Sequence, residues 1–478
     1  MNLAALFPGK NLPATVEVTG LSADSRKIRP GFVFAALKGV AADGREFIPQ
    51  AIEKGAAAII GHDLPDTGDA VAIEVEEPRL ALATAAAAFY ARQPQHVVAV
   101  TGTNGKSSTV DFLRQIWESA GLTAASMGTL GAIGPQGHID LGHTTPDPVA
   151  IHETLAKLAD QGVTHCAMEA SSHGLVQYRL DAVKLSAGAF TNLTQDHLDY
   201  HADMDEYRAA KMRLFSELLP EGAPAIINAD SPERNAFEAG AKAHGLTPLS
   251  VGWRGDDLKI CELMPKATGQ TLFLKWRGEE TEVDLPLIGE FQALNALTAA
   301  GLALALGASL DDIRKGLAAL KPVKGRLEFV GETDAGAGVF VDYAHTPDGL
   351  DTLIRAARPH TAGRLFVIFG CGGDRDRKKR PIMGEVAVKQ ADVVIVTDDN
   401  PRSENAADIR KAVLEGAKGA LEIGDRAEAI HHAVAELKAG DTLLIAGKGH
   451  ETGQIVGDKV HPFSDQDTAL AALKERKG

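Results

Sequence analysis

At 478 residues, 45% hydrophobic and 24% charged, the chain has the material for roughly two to four globular domains. A formal net charge of -15 argues against nucleic acid as a partner, because a protein that binds a phosphate backbone needs a basic face. Three scattered cysteines (Cys166, Cys261, Cys371) with no CxxC pair, no basic-then-apolar leader and no run of about 18 apolar residues point to a reducing, cytoplasmic setting without disulfides, zinc or membrane insertion.

In chain order, "GFVFAAL", "REFIPQAIEKGAAAIIG" and "AVAIEVEE" alternate β-rich and helical patterns and predict a small α/β unit over 1–88. The alanine-rich "LALATAAAAFYA" predicts a packed helix leading to a second unit, 89–322. There "VVAVTG", "THCAMEAS", "SAGAFTNL" and "PAIINAD" alternate with helical stretches. Runs this apolar predict a parallel sheet covered on both faces. "EFQALNALTAAGLALALG" predicts a helix stopping at Gly307, and "KPVKGRLEF" marks the boundary to a third unit, 323–478. That unit repeats the α/β pattern in "GVFVDYAHTPD", "RLFVIFGCGGDRD", "ADVVIVTDDNPR" and "TLLIAGKGHE". Nearly every polar cluster follows a β run, the place where open parallel sheets bind ligands.

The segment "VTGTNGKS" departs from the G-x-x-x-x-G-K-[ST] phosphate loop only in having Val100 at its first position. Gly102 and Gly105 let backbone N–H groups face an anion at a helix N-terminus. Lys106 can neutralise β/γ-phosphate oxygens and Ser107 can ligate Mg²⁺.

"TGTNGKSST" resembles the ATP loop of the Mur ligase superfamily, which includes the folylpolyglutamate synthases. These enzymes phosphorylate a carboxylate with ATP, and an amine then attacks the acyl phosphate. The resemblance spans nearly the whole chain and is densest over 101–211 and 371–451. It implies three α/β domains: an N-terminal domain for the UDP substrate, a central P-loop-type parallel-sheet ATPase domain and a C-terminal Rossmann-like domain for the amino acid. It implies ATP contacts at Gly102, Thr103, Asn104, Gly105, Lys106, Ser107 and Ser108, at Asn295 for the base, and at Arg326, Asp342 and His345 near ribose and phosphates. "MEASSHGLVQYR", "TNLTQDHLDYH" and "YRAAKMRLF" match the family core, so Lys106, Glu169, His197 and Lys211 are expected to be catalytic. Ser107, Glu169, His197 and Lys211 are expected to hold Mg²⁺, with Lys211 carbamylated to N6-carboxylysine, since a protonated ammonium cannot ligate a metal whereas a carbamate can.

"LGHTTPDP", "SADSR" and "KGVAADGREF" resemble the segments with which one branch of the family holds UDP-MurNAc-L-Ala-D-Glu. The implied contacts are Ala23, Ser25, Val40, Ala41, Ala42, His143, Thr144, Thr145, Ser171, Gln177 and Arg179, with His143 standing where some relatives have Asn. "TDDNPR" supplies Asp399, Asn400, Pro401 and Arg402 and matches the branch that adds meso-diaminopimelate. Arg402 offers a planar fork for the distal carboxylate that lysine lacks. Arg375, Gly447 and Glu451 match further contacts, Glu451 toward the distal ammonium. The implied activity is ATP-dependent addition of meso-diaminopimelate to the D-Glu γ-carboxylate, in cytoplasmic peptidoglycan precursor synthesis, by a monomer. Three alternatives stand beside it: an L-lysine-adding ligase, a folylpolyglutamate synthase-like ligase and an inactive nucleotide-sugar-binding module.

Overall fold

The computed structural model describes residues 1–39, 42–194 and 200–476. They form two compact units, Met1–Lys259 with Leu297–Ile313, and Ile260–Ala296 with Arg314–Gly478.

In the first unit, Gly20–Ser22, Phe32–Ala35, Ala58–Gly61 and Val71–Glu74 pair in that order as a four-stranded parallel sheet. Leu3, Leu6, Val33, Ile60 and Leu82 fill its core. The alanine-rich helix Pro78–Tyr90 starts with proline in its first turn and a Glu77 cap on the Arg79 N–H, and ends at left-handed Ala91. It packs against helix Pro148–Asp160, and Val149 of that helix joins the N-terminal core. Residue 88, the boundary expected from the sequence, lies near the end of this helix, within the first compact unit.

The larger sheet of this unit runs Thr247–Gly252, Pro224–Asn228, Ala187–Phe190, His96–Thr101, His165–Glu169, Ala124–Gly128, Gly131–Gly134 and Gly137–Ile139. The first six strands are parallel, and their apolar runs are buried under helices. The last two extend the sheet as an antiparallel meander. The glycine-rich "GTLGAIGPQGHID" hid this meander, since glycine depletes the β signal. In register, Glu169 lies opposite Val100, and Thr101 opposite Phe190, so the ends of these strands converge.

The second unit contains an antiparallel hairpin, Gly269–Trp276 with Glu279–Leu285, that the α/β reading of 89–322 did not anticipate. Arg277 and Gly278, with φ of +47° and +96°, make its two-residue turn. His360 ties this region to the C-terminal sheet. Its Nε2 accepts the Gly289 N–H at 3.0 Å and its Nδ1 lies 2.8 Å from Lys266 O. The sheet runs Glu328–Glu332, Gly338–Asp342, Thr442–Ala446, Leu365–Phe369, Val393–Val396 and Leu421–Glu422, parallel except for its first pair. The segments 343–346, 370–375, 397–402 and 447–451 all follow its strands.

Candidate active site

Strand His96–Thr101 delivers the loop 102–105 to the start of helix Lys106–Ser119. Gly102 (φ +148°) and Gly105 (φ +85°) hold conformations that side chains rarely adopt, and a side chain on Gly102 would overlap Thr191 Oγ1. The loop is braced from 191–192. Thr103 N–H donates to Asn192 O at 2.8 Å, Asn104 N–H to Asn192 Oδ1 at 2.9 Å, and Thr191 Oγ1 to Asn104 O at 2.6 Å. Lys106 Nζ folds back onto the Gly102 and Thr103 carbonyls, 2.8 Å from each. Lys211, 1% exposed, reaches the same Gly102 carbonyl at 2.9 Å, with its Nζ 4.3 Å from the Tyr207 ring centre. Tyr207 and Thr103 hydroxyls share a 3.1 Å hydrogen bond. Ser108 is buried in the first helical turn.

Glu169 is 2% exposed. Its Oε1 accepts from Ser107 Oγ and from Thr129 N–H, each at 2.8 Å, and its Oε2 from Thr129 Oγ1 at 3.3 Å. Gly128 makes the space, because a Cβ there would overlap the carboxylate. Thr129 Oγ1 also meets Thr144 Oγ1 at 2.9 Å. Thr145 Oγ1 donates to Glu169 O at 2.9 Å and accepts from Ser171 N–H at 3.0 Å. Arg179 donates to Thr145 O at 2.6 Å and to Gln177 Oε1 at 2.7 Å, and burial lowers its guanidinium pKa. The structure thus joins Ser107, Glu169, Thr144, Thr145, Ser171, Gln177 and Arg179 in one hydrogen-bonded network. Thr129 is the member that sequence reasoning missed; its only signal is a hydroxyl directly after the β run "AASMG". Ser25 Oγ donates to Gln50 Oε1 at 2.7 Å in the N-terminal sheet's loops, where Ala23 and Ala42 are exposed, and His143 is exposed too. Val40, Ala41 and His197 lie outside the described residues.

In the second unit, Asn295 Nδ2 donates to Gln292 Oε1 at 3.1 Å, and Gln292 Nε2 to Arg326 O at 2.8 Å. The Asp342 carboxylate accepts Leu327 N–H at 2.6 Å and Ala344 N–H at 2.7 Å. Burial raises its pKa against the opposing pull of Arg326. The Arg326 guanidinium lies 5.0 Å from the Tyr343 ring centre. His345 Nδ1 lies 2.9 Å from Tyr343 O, and burial lowers its pKa. Asn295, Arg326, Asp342 and His345 are therefore neighbours through Gln292, Leu327 and Tyr343.

Asn400 is 4% exposed. Its Oδ1 accepts from Lys448 Nζ at 3.1 Å and Ile455 N–H at 3.0 Å, and its Nδ2 donates to Glu451 Oε2 at 2.9 Å. Asp399 Oδ1 accepts the Asn400 N–H at 2.6 Å, and Pro401 is buried. Arg402 Nη1 donates to Gly373 O at 2.9 Å, over a glycine, Gly372, whose Cβ would stand 2.7 Å from that nitrogen. Among the described residues, the guanidinium's hydrogen bonds all run through Nη1. Gly447 (φ +115°) keeps clear of Asp399, and Arg375 is exposed with Nη1 on Asp374 O at 3.1 Å. Below these loops, Arg426 and Asp465 form a 2.7 Å ion pair at 0% side-chain exposure, and Arg426 Nη2 holds Ala446 O at 2.9 Å. Sequence reasoning passed over Lys448, Arg426 and Asp465. Tyr178, Leu327, Asp374 and Arg402 have left-handed backbones (φ +55°, +49°, +54° and +51°), and each lies in or beside a site motif, where strain concentrates.

The first unit carries a phosphate loop with an enclosed carboxylate beside it, and the second carries Asn, Arg and Glu at the C-terminal ends of parallel strands; the sequence matches place these features in an ATP-dependent ligase. Residues 17–90 match the model of the Mur ligase family catalytic domain, 100–303 that of the Mur ligase middle domain and 325–449 that of the Mur ligase glutamate ligase domain. The chain belongs to the Mur ligase family. It is 52% identical over 479 residues to the UDP-N-acetylmuramoyl-L-alanyl-D-glutamate–2,6-diaminopimelate ligase of Mesorhizobium japonicum, covering 99% of each chain. It is 53% identical over 475 residues to the protein of that name from Brucella melitensis, covering 98% of this chain and 96% of the relative. A solved structure of a ligase of the same name superposes with a TM-score of 0.77 at 31% identity, covering 100% of this chain and 99% of the other. No described helix is long and apolar enough to cross a membrane.

Proposed function

We propose that this chain uses ATP to phosphorylate the D-glutamate γ-carboxylate of UDP-MurNAc-L-Ala-D-Glu and joins the acyl phosphate to an amine of meso-diaminopimelate, releasing ADP and phosphate. The observation that carries it is full-length identity above 50% to ligases of that name, together with an intact Arg402 fork. N–H groups of 102–107 cradle the phosphates, and the Lys106 ammonium exchanges its loop carbonyls for phosphate oxygens. The network through Thr129, Thr144, Thr145 and Arg179 holds the acceptor peptide beside Glu169. Arg402 Nε and Nη2 take the distal carboxylate of the amine, and Glu451 its ammonium.

The donor set fits Mg²⁺: hydroxyl and carboxylate oxygens of Ser107 and Glu169 stand 2.8 Å apart in a cradle that a Cβ on Gly128 would fill. His197 and a carbamylated Lys211 complete the proposed set, and the ion would screen the charge between ATP and the acceptor carboxylate. The same reading divides the chain by task at about 88 and 322, near the spans of the three family models. The chain works as a cytoplasmic monomer in this proposal.

The test is phosphate release from ATP with UDP-MurNAc-L-Ala-D-Glu, comparing meso-diaminopimelate with L-lysine. Strong preference for diaminopimelate is expected. Equal or reversed rates would overturn the role given to Arg402, and no release with either amine would overturn the substrate assignment.

A further inference from the structure

Lys448 sits in "GKGHE" between two residues that the substrate reading uses, yet it is 0% exposed and cannot itself touch bulk solvent. A buried ammonium is tolerated only when paired and hydrogen-bonded. Its partners here are Asn400 Oδ1 and Glu451 Oε2, each at 3.1 Å.

The chemistry of these partners fixes their orientation. The ammonium is donor-only, and so is the Ile455 N–H that also points at Asn400. Turning the Asn400 amide over would set its NH₂ against two donors, so Oδ1 faces them and Nδ2 is committed to Glu451. Lys448 Nζ and Asn400 Nδ2 both land on Oε2 of Glu451. Glu451 keeps 33% side-chain exposure, and its Oε1 is the oxygen left over.

We infer that Lys448 is a positioning residue for the amino-acid substrate: it locks the Asn400 amide and saturates one oxygen of Glu451, so that the other is presented to the substrate's distal ammonium. This rests on the assignment of the amino-acid site proposed above. Lys448 acts on orientation and makes no contact with substrate.

The experiment compares wild type, K448M, E451Q and K448M/E451Q in the full chain, measuring KM for each of the three substrates and kcat by phosphate release. K448M is expected to raise KM for diaminopimelate about tenfold or more, with KM for ATP and for the UDP-dipeptide unchanged. The double variant should be no worse than E451Q alone, because both changes remove one device. K448Q, which keeps a donor for Asn400 without the charge, should recover part of the loss and covers the case in which K448M folds poorly. An unchanged diaminopimelate KM in K448M, an equal rise in all three KM values, or strictly additive single effects would overturn the inference. A wild-type chain that prefers L-lysine would instead overturn the substrate reading, and the KM for L-lysine in the same four proteins would then judge Lys448.

Discussion

Glu169 owes its place to a side chain that is missing from the neighbouring strand. Gly128 ends strand Ala124–Gly128, and a methyl group there would occupy the carboxylate's position. Gly128→Ala should therefore leave the sheet folded but swing Glu169 off Ser107 and Thr129. A misplacement of about 1 Å can cost about 10²-fold, and a loss of that size in kcat, with a near-native melting curve, is expected. Lys106→Ala should abolish phosphate release outright while circular dichroism stays native. At Arg402, lysine would keep the charge and lose the fork. Because hydrogen bonds to charged groups contribute about 1.5–3 kcal/mol, Arg402→Lys should raise KM for diaminopimelate by about 10- to 100-fold and narrow its lead over L-lysine. Lys106, Glu169 and Asn400 were legible in the sequence because each stands in a short motif at or just after the end of an apolar strand. Gly128, Thr129 and Lys448 also stand at or just after the ends of apolar strands, yet their roles were not legible, because they serve other side chains across the fold and strand position alone does not report that.

Two helices begin with the halves of one buried ion pair, Arg426 of Arg426–Glu436 and Asp465 of Asp465–Arg476. Through the Ala446 carbonyl the pair pins the strand end from which 447–451 departs. Removing one partner strands a buried charge, so Asp465→Ala should cost about 3–5 kcal/mol in urea unfolding. The double change R426M/D465L should cost clearly less, since it leaves no charge behind. At this scale the parallel strands were legible as continuous apolar runs. The hairpin Gly269–Trp276 with Glu279–Leu285 was not, because it carries charged residues along an exposed face and turns on Arg-Gly, a weaker signal than Asn-Gly or Asp-Gly.

Across the molecule, several histidines are folded in their neutral form. Burial pushes His152 and His165 down to about 4, from an ordinary value of 6.5, and the bonds of His360 require an unprotonated Nε2. In the unfolded chain His152 and His165 each take a proton near 6.5, whereas in the folded chain they take it only near 4. Stability should thus fall as pH drops from 6.5 toward 4, by up to about 1.4 kcal/mol per pH unit for each histidine, and level off below. Urea midpoints over that range check this, and His152→Leu should flatten the slope by one proton. The boundaries read at about 88 and 322 lie near the spans of the three family models, whereas the two compact units divide the chain elsewhere. Motifs mark where chemistry changes, but compactness follows packing, such as helix Pro78–Tyr90 on Pro148–Asp160 and His360 on Gly289.

Arg402 carries its guanidinium on a left-handed backbone, φ +51°, a conformation in which asparagine or glycine would rest more easily. Under the role proposed for Arg402, discrimination against an amine that lacks the distal carboxylate is held under tension, at about 1–3 kcal/mol for such a residue. A lineage whose cell wall no longer needed a doubly acidic cross-linking residue would have a downhill path away from this arginine. Selection for thermal robustness alone would erode it, so under the proposed role its retention requires a continuing demand for that amine.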